Sequence, residues 1–337
     1  DLVCGPEAGD ATDASLGMVR GFEPDAANCR LATDSMAELH ANQRLAAWAG
    51  LQERESLYIS AEGLGPTETR LRQLATRLSG PVRTVGVAEL ASRYGIAGLP
   101  EHSVGVLEQR AGAIVPGQLR RSVLAELARL RVSRIPGPVD QVVVADDQVL
   151  CRWHGQARRY DAVVLATGRW TPRLLARSGL PAPPYRTKAI SYVWYRATGA
   201  PPYCFVDETT GLYGRPGTGG QLALGLPSTD WDVDPDQPAA DEALHRRAVE
   251  LARQRLPALR IQARDHVVAA ADCYTETSGL RLRPVRDDTA PLYTFTGGSG
   301  GAVKTALAAS AIAARDLLTT LSGRNVPAVH LSLGRLT

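Results

Sequence analysis

The chain has 337 residues, of which 44% are hydrophobic and 22% are charged, and its formal net charge is +3. This composition is that of a globular protein and excludes a disordered chain. The small net charge argues against nucleic acid or an acidic membrane surface as the partner, and no apolar run is long enough to cross a bilayer.

The first 130 residues alternate between strand-like and helical patterns. We predict a short strand over residues 1–5, a helix over about 26–50, a strand over 57–60 and an amphipathic helix over 68–78. A strand and a short helix follow over 82–94, and residues 104–108 and 113–116 are extended. A helix over 117–130 carries an apolar stripe that we expect to be buried. The stripe consists of Leu119, Val123, Leu124, Leu127 and Leu130.

The middle of the chain predicts three strands separated by turns, over residues 141–166. The last strand, 162–166, is continuously apolar, so we expect both of its faces to be buried in a parallel sheet. It ends in Thr167-Gly168-Arg169-Trp170. Such a turn lies at the carboxyl edge of the sheet, where open α/β folds bind their ligands.

From residue 185 onward the pattern is rich in β-strands. Strands over 189–196 and 203–206 precede a hairpin over 211–225, a helix over 242–255 and a strand over 267–274. Three histidines, His154, His245 and His266, fall in hairpin or helix-surface contexts, where we expect solvated side chains.

A glycine cluster, residues 297–301, follows a short strand and precedes an alanine-rich helix that begins near Lys304. Glycines at a helix start let the backbone approach a ligand closely, and the positive end of the helix favours an electron-rich or anionic group. The sequence therefore predicts a ligand site at this turn.

Lysine is rare in this chain, because Lys188 and Lys304 stand among 36 arginines. A lysine kept against such a bias suggests that a compact ammonium is needed, although an accidental surface lysine is the alternative. Lys304 is the more informative of the two because it follows the glycine cluster directly.

Five cysteines lie far apart in the sequence, without a Cys-x-x-Cys pair. An odd number of scattered cysteines favours reduced thiols, so we expect a cytoplasmic protein with no metal centre. They are Cys4, Cys29, Cys151, Cys204 and Cys273.

These motifs together resemble the superfamily of glycine oxidase, D-amino-acid oxidase and monomeric sarcosine oxidase, which are FAD-dependent amine oxidoreductases. The resemblance covers residues 1 to about 318, and it is most specific over 160–175, 211–225 and 296–304. It implies an α/β fold in which a Rossmann-like, FAD-binding parallel sheet is joined to an antiparallel, β-rich substrate lobe. The implied FAD-binding lobe is residues 1–50, 112–184 and 280–337, and the substrate lobe is 51–111 and 185–279.

The resemblance also implies roles for single residues. The flavin ring would contact Gly297, Gly298, Ser299, Gly300, Gly301 and Lys304 at the glycine turn, and Ser15, Gly17 and Arg20 in an N-terminal loop. Thr167, Gly168 and Trp170 would lie near the pyrophosphate, and the backbone of Val139 near adenine. Arg20, Arg215 and Lys304 would bind a substrate carboxylate, while Tyr213 with Trp194 or Tyr195 would wall the side-chain pocket.

Three departures from the family pattern bear on this interpretation. The GxGxxG fingerprint is absent, so we expect the first βα unit to be missing, either because the sequence is a fragment, which we favour, or because FAD has been abandoned. Ala223 stands where sarcosine oxidases carry a lysine associated with oxygen activation. Cys273 lies one residue away from the position of their flavin-linked cysteine, so we interpret it as a small core residue.

The resulting hypothesis is FAD-dependent oxidation of a C–N bond in an amino acid or amine to an imine, with a biosynthetic pathway as one setting. The partner would be a small-molecule amine or amino acid, with no nucleic acid and no membrane. The alternative is a flavin-free relic of the fold that binds a carboxylate ligand or a partner protein, or that catalyses a non-redox biosynthetic step.

Overall fold

A curved nine-stranded sheet is the largest element of the computed structural model, which describes residues 1–5, 10–61, 66–78, 80–145, 147–276, 279–286 and 291–322. The strands of the described residues are β1 (Leu2–Cys4), β2 (Met18–Val19), β3 (Gln52–Ser60), β4 (Val82–Gly86), β5 (Val104–Ala113), β6 (Arg134–Pro136), β7 (Gln141–Ala145), β8 (Gln148–Trp153), β9 (Gln156–Tyr160), β10 (Val163–Leu165), β11 (Tyr185–Thr198), β12 (Cys204–Asp207), β13 (Leu212–Pro216), β14 (Gln221–Gly225), β15 (Arg260–Thr275), β16 (Arg281–Pro284) and β17 (Leu292–Thr296). The helices are α1 (Ala26–Ala41), α2 (Gln43–Ala49), α3 (Glu68–Arg77), α4 (Val87–Tyr94), α5 (Pro116–Arg129), α6 (Thr171–Arg177), α7 (Glu242–Arg255) and α8 (Ala302–Ser322).

The large sheet has the strand order β15-β11-β14-β13-β12-β3-β5-β2, and β4 pairs with β5 off this path. Its neighbours are antiparallel except for β12 and β3, which run parallel. Two core clusters cover its faces. One includes Leu90 of α4 and Leu251 of α7 packed on the sheet, and the other includes Met36 of α1 and Leu74 of α3.

Two smaller sheets each contain a further pair of parallel strands. β1 pairs with β6, and β10 pairs with β17, which in turn pairs antiparallel with β16. The parallel pairing of β10 confirms the sequence prediction, and the mixed architecture confirms the predicted α/β class. The expectation that both faces of β10 are buried was wrong, because Val164 is 38% exposed and β10 lies at the edge of its sheet.

The helix predicted over residues 26–50 is two helices, because Asn42 interrupts it. Asn42 has extended backbone angles and caps both segments: its N–H donates to the Glu38 carbonyl, and its side chain accepts the Leu45 N–H at 3.0 Å. Asparagine favours such caps because its short side chain competes for backbone hydrogen bonds. Gly50, in the left-handed conformation, ends the second helix.

The apolar stripe predicted to be buried on α5 is only partly covered. Val123 is 39% exposed and Leu130 is 57% exposed, whereas Leu119 packs against the core cluster that contains Met36. The helix itself is present, so the periodicity predicted the helix correctly. It did not predict how far the apolar side chains would be buried.

The prediction of a solvated His245 was also wrong. The residue is 4% exposed, and its Nε2 lies 2.7 Å from the Ser191 hydroxyl, where α7 packs on β11. His154 and His266 are exposed, as expected. All five cysteines are free thiols. In the described ranges, no helix combines the length and the apolar character that crossing a bilayer requires.

Candidate active site

A glycine turn joins β17 to α8 and forms one wall of a large cavity. Gly297 has a φ of +78°, and a Cβ there would lie 2.9 Å from Thr275 Cγ2, so glycine is required. A 3-10 turn, Ser299–Gly301, leads into α8, and the Gly300 N–H donates to the Tyr274 hydroxyl at 3.3 Å. The first residues of α8 line the cavity. The positive end of this helix therefore faces the cavity.

A second wall is the loop of residues 15–20, which includes β2. Gly17 has a φ of +67°, and a Cβ there would lie 2.2 Å from the Ile114 carbonyl oxygen. The Gly17 N–H donates to the Ser15 hydroxyl at 3.1 Å. β2 then pairs with the end of β5, which delivers Arg20 to the cavity.

The backbone that follows Arg20 is held by Glu108, a residue in the middle of β5. Its carboxylate accepts the Gly21 N–H at 2.8 Å and the Phe22 N–H at 2.7 Å. Glu108 is 3% exposed, and this burial raises its pKa against the opposing effects of the two N–H groups and Arg20. The loop conformation thus depends on one buried carboxyl group.

A cluster of charges connects the two walls. Glu23 Oε1 lies 2.8 Å from Lys304 Nζ and 2.7 Å from an Arg20 guanidinium nitrogen. The Arg20 guanidinium also lies 5.0 Å from the centre of the Tyr58 ring, and the Tyr58 hydroxyl donates to Glu208 at 2.6 Å. Glu23 therefore pairs with both cations, and Glu208 is held nearby by the Tyr58 hydroxyl.

Burial changes the acidity of this cluster. Desolvation, followed by the positive charge of Arg20, lowers the pKa of Lys304 to about 8, although Glu23 opposes the shift. Burial alone would raise the pKa of Glu23, but Arg20 and Lys304 together outweigh it, so the pKa is lowered. Lys304 therefore changes charge close to neutral pH while Glu23 stays ionised.

An aromatic wall faces the glycine turn. Tyr192 on β11 and Tyr213 on β13 line the cavity, and the Tyr192 hydroxyl donates to the Ala14 carbonyl at 2.8 Å. Both tyrosines lie opposite Gly225 in the strand register. A Cβ on Gly225 would lie 2.5 Å from the Tyr213 ring, so only glycine at this position leaves room for the ring.

The remaining wall carries Asp272 and Tyr274, alternate residues of β15 that line the cavity. Cys273, between them, points the other way and is buried in a core cluster. This position supports its interpretation as a core residue. Lys188 of β11 lies opposite Asp272 in the strand register, and its ammonium lies 4.8 Å from the centre of the Trp231 ring. Burial raises the pKa of Asp272 to about 7, against the opposing charge of Arg169.

These walls enclose a cavity of about 820 Å³. Its lining also includes Leu2 and every residue of the α5 stripe except Leu130, which explains why that part of the stripe is incompletely buried. Both lysines of the chain line this one cavity. The rarity of lysine therefore also pointed to Lys188 as a cavity residue, whereas the sequence analysis singled out only Lys304.

The structure brings together eight of the residues that the sequence predicted for the site. Those that line the cavity are Ser15, Gly17, Arg20, Tyr213, Ser299, Gly300, Gly301 and Lys304. Those that do not line it are Val139, Thr167, Gly168, Trp170, Arg215, Gly297 and Gly298.

Arg215, which was predicted to bind a substrate carboxylate, is not on the cavity lining. It shares a face of β13 with Tyr213, but its guanidinium stacks on Trp194 at 4.7 Å instead of reaching the cavity. Neither Trp194 nor Tyr195, which were predicted to wall the side-chain pocket, is on the cavity lining. Trp194 packs in a buried cluster with Tyr192 and Tyr213, Tyr195 points to the opposite face of β11, and Tyr192 lines the cavity.

The residues predicted for the far half of the cofactor lie near the end of β10. The Thr167 and Thr171 hydroxyls are 2.8 Å apart, and Trp170 Nε1 donates to Asp236 at 2.7 Å. Val139 packs against the core cluster that contains Leu165. Their contact with a cofactor stays a prediction.

Sequence reasoning missed the acidic residues of the site, which are Glu23, Glu108, Glu208 and Asp272. A glutamate inside the apolar strand of residues 104–108 was a usable signal for Glu108. The others had no signal, because their roles depend on segments that are distant in sequence.

Comparison with known proteins decides the family. A family model described as "FAD dependent oxidoreductase" matches residues 2–315. The chain belongs to the FAD-dependent oxidoreductase family. FAD is the cofactor of this family, and the predicted superfamily is confirmed. No curated protein sequence matches the chain.

Solved structures of FAD-dependent oxidoreductases share the fold at low sequence identity. Glycine oxidase from Geobacillus kaustophilus is 18% identical with a TM-score of 0.69, covering 93% of this chain and 88% of that one. NikD, described as an unusual amino acid oxidase essential for nikkomycin biosynthesis, is 19% identical with a TM-score of 0.67, covering 94% and 87%. L-α-glycerophosphate oxidase from Mycoplasma pneumoniae, solved with FAD bound, is 13% identical with a TM-score of 0.71, covering 96% and 88%.

The ring half of FAD fits the cavity of this family member. The volume falls within the range of about 300–1,000 Å³ that is usual for ligand sites. The glycine turn, the positive end of α8 and the aromatic wall surround the same space, which suits a flat ring that becomes electron-rich on reduction. Gly17, Ser299, Gly300, Gly301 and Lys304 would hold the ring.

Proposed function

We propose that this FAD-dependent oxidoreductase oxidises the C–N bond of a small amino acid or amine to an imine. The observation that carries the proposal is a cavity with both kinds of charge beside the glycine turn. Arg20 and Lys304 supply the cations, and Asp272 and Glu208 supply carboxyl groups on the same lining. An amino acid carries a carboxylate and an amine, so it is complementary to both.

The Arg20–Glu23–Lys304 cluster is the proposed carboxylate site. Glu23 already shows that a carboxylate oxygen fits between the two cations at 2.7 and 2.8 Å. A substrate carboxylate would either share these cations with Glu23 or displace it. Charge-assisted hydrogen bonds of this kind are stronger than neutral ones, so they fix the substrate's orientation.

The rest of the chain's contribution is positioning and exclusion of water. When bound, FAD supplies the acceptor for the two electrons and the hydrogen that leave the substrate carbon. Tyr192 and Tyr213 would pack against the substrate side chain and hold the reacting carbon toward the glycine turn. An amine that reacts in its neutral form needs no further base at nitrogen.

The comparison structures include an oxidase of an alcohol-bearing phosphate, so the fold alone does not select C–N over C–O bonds. A phosphate ester would use the cations, but it lacks the positively charged ammonium group that an amino acid can place beside Asp272. A biosynthetic setting is part of the proposal and is supported by the structural similarity to NikD, which is essential for nikkomycin biosynthesis.

A visible spectrum and a substrate panel test the proposal. We expect the purified protein, reconstituted with FAD, to show flavin absorption that bleaches anaerobically with a member of a panel of N-methyl, D- and L-amino acids. A protein that stays colourless with FAD would favour the flavin-free alternative. Bleaching by glycerol 3-phosphate and by no amine would contradict C–N oxidation.

A further inference from the structure

The carboxyl group of Asp272 faces the cavity without a partner of its own. Within the described part of the chain, no hydrogen bond or ion pair holds it. This separates it from the other cavity carboxylates, because Glu23 pairs with two cations and Glu208 accepts from Tyr58. Asp272 is partly exposed to the cavity, so its carboxyl group is open to water or to a molecule that the cavity binds.

Asp272 lies directly beside the glycine turn. Its Oδ2 is 3.3 Å from the place of a Cβ on Gly300, so a larger residue at position 300 would crowd it. Tyr274, two residues further on the same strand, accepts the Gly300 N–H. The carboxyl and the start of α8 therefore border the same part of the cavity.

The surroundings of Asp272 leave its charge poorly compensated. Burial is the largest influence on its pKa and raises it to about 7, while Arg169, in the turn after β10, opposes the shift. Lys188 faces it across the β11–β15 register but directs its ammonium to the Trp231 and Tyr274 rings. The negative charge of Asp272 in turn helps to raise the pKa values of its other titratable neighbours. These are Tyr213 on β13 and Cys273 and Tyr274 on β15.

We propose that Asp272 is a proton-uptake residue of this site: its carboxylate binds a proton from solvent when negative charge forms beside the Ser299–Gly301 turn, and releases it when that charge leaves. The inference rests on the proposed function, which puts the charge that develops on reduction of FAD at this turn. The step forms one O–H bond at Asp272 and involves no electron transfer at the carboxyl group. Two negative charges in a shielded cavity repel, so protonation keeps the local charge constant.

The thermodynamic sign follows from linkage. Reduction places negative charge near Asp272 and therefore raises its affinity for a proton. The pKa of Asp272 is therefore higher in the reduced protein than in the oxidised protein. At pH values between these two pKa values, reduction takes up one additional proton. Asp272 thus acts through its charge and not through a bond to the substrate. A purely structural role would not couple proton uptake to reduction.

The test is the pH dependence of the reduction potential of the FAD-loaded protein. For the unaltered chain, we expect a steeper fall of the potential with pH over the range in which Asp272 exchanges its proton. Asp272→Asn should remove this steeper region and raise the potential at alkaline pH, and Asp272→Glu should restore the steeper region. An unchanged slope in Asp272→Asn would overturn the proposal.

A matched control lies on the same strand. Asp265 of β15 is exposed and accepts from Gln221 outside the cavity lining. Asp265→Asn removes the same charge from the same strand, so it should leave the slope unchanged. An equal effect of both variants would indicate a general charge effect and would also count against Asp272.

A second measurement separates failure of this inference from failure of the proposed function. In the cofactor-free chain, carboxyl ¹³C NMR should show one aspartate that titrates near pH 7 and is missing from Asp272→Asn. If FAD does not load, the proposed function fails and this titration decides whether Asp272 exchanges a proton near neutral pH. An ordinary acidic titration of Asp272 would contradict the inference.

Discussion

Lys304 shows how one residue combines the sequence signal with the geometry. Lys304 is one of only two lysines in the chain and lies in the first turn of α8, after the glycine cluster. Its ammonium lies 2.8 Å from Glu23. Burial lowers its pKa to about 8, so it holds a full positive charge only on the acidic side of that value. Its ability to bind an anion is therefore tied to pH.

We predict that carboxylate inhibitors bind more weakly as the pH rises through about 8, because Lys304 then loses its proton. Charge-assisted hydrogen bonds contribute about 1.5–3 kcal/mol, so Lys304→Ala should lose roughly 10- to 100-fold in affinity at pH 7. Isothermal titration calorimetry over a range of pH measures both effects.

Lys304→Arg is the matched control, because arginine keeps its charge across this range and should abolish the pH break. Glu23→Gln should move the break to lower pH, since Glu23 helps to keep Lys304 charged. An affinity that stays level between pH 7 and pH 9.5 in the unaltered chain would remove Lys304 from the carboxylate site.

For single residues, the sequence pointed to side chains that belong to a recognisable motif. It did not point to residues whose role depends on contacts with segments that are distant in sequence. Arg20, Tyr213 and Lys304, which the family resemblance picked out, do line the cavity. Arg215 does not line it, because a stacking contact with Trp194, set by strand register, could not be derived from the motif. Asp272 was missed for the same reason.

Among the elements, the loop that precedes Arg20 depends most on a single glycine. Gly17 combines a positive φ with a carbonyl oxygen 2.2 Å from the place of its Cβ. The left-handed conformation costs about 1–2 kcal/mol for an L-residue, and forced repacking costs about 1–3 kcal/mol more.

Gly17→Ala is therefore expected to destabilise the fold by about 2–5 kcal/mol and to weaken FAD binding. Urea unfolding and flavin fluorescence measure the two effects. Gly86→Ala is the control, because its φ is −84° and a Cβ there would have no atom within 4 Å. Equal stability of the two variants would show that the loop relaxes freely.

The sequence largely predicted which segments form helices and strands. It did not predict which other elements pack against them. The periodicity placed α5 correctly, but apolar spacing cannot tell a core from a cavity wall, and this stripe lines the cavity. The apolar run of β10 predicted a parallel strand, whereas its place at a sheet edge depends on which strands flank it.

Across the whole molecule, a buried ion pair outside the cavity lining holds α7 to the large sheet. Arg255 Nε donates to Asp207 Oδ2 at 2.7 Å, with side chains only 10% and 2% exposed. Removing one partner from such a pair leaves an uncompensated buried charge and costs about 3–5 kcal/mol.

We expect Arg255→Ala to lower the free energy of unfolding by about this amount while leaving inhibitor affinity unchanged below the unfolding transition. Chemical denaturation and calorimetry measure these quantities. Arg247→Ala is the control, since its pair with Glu250 is 58% exposed on both sides, and it should change stability by less than about 0.5 kcal/mol. A similar loss in both variants would contradict the importance of burial.

The shared location of Lys188 and Lys304 has a practical consequence for chemical labelling. Acylating reagents that react with amines have, apart from the amino terminus, only these two targets in the chain, and both border the cavity. Limited acylation followed by peptide mass mapping would report on occupancy of the cavity, because a bound ligand should protect the lysine that it covers. For the same reason, attaching the protein to a surface through its lysines would block the cavity.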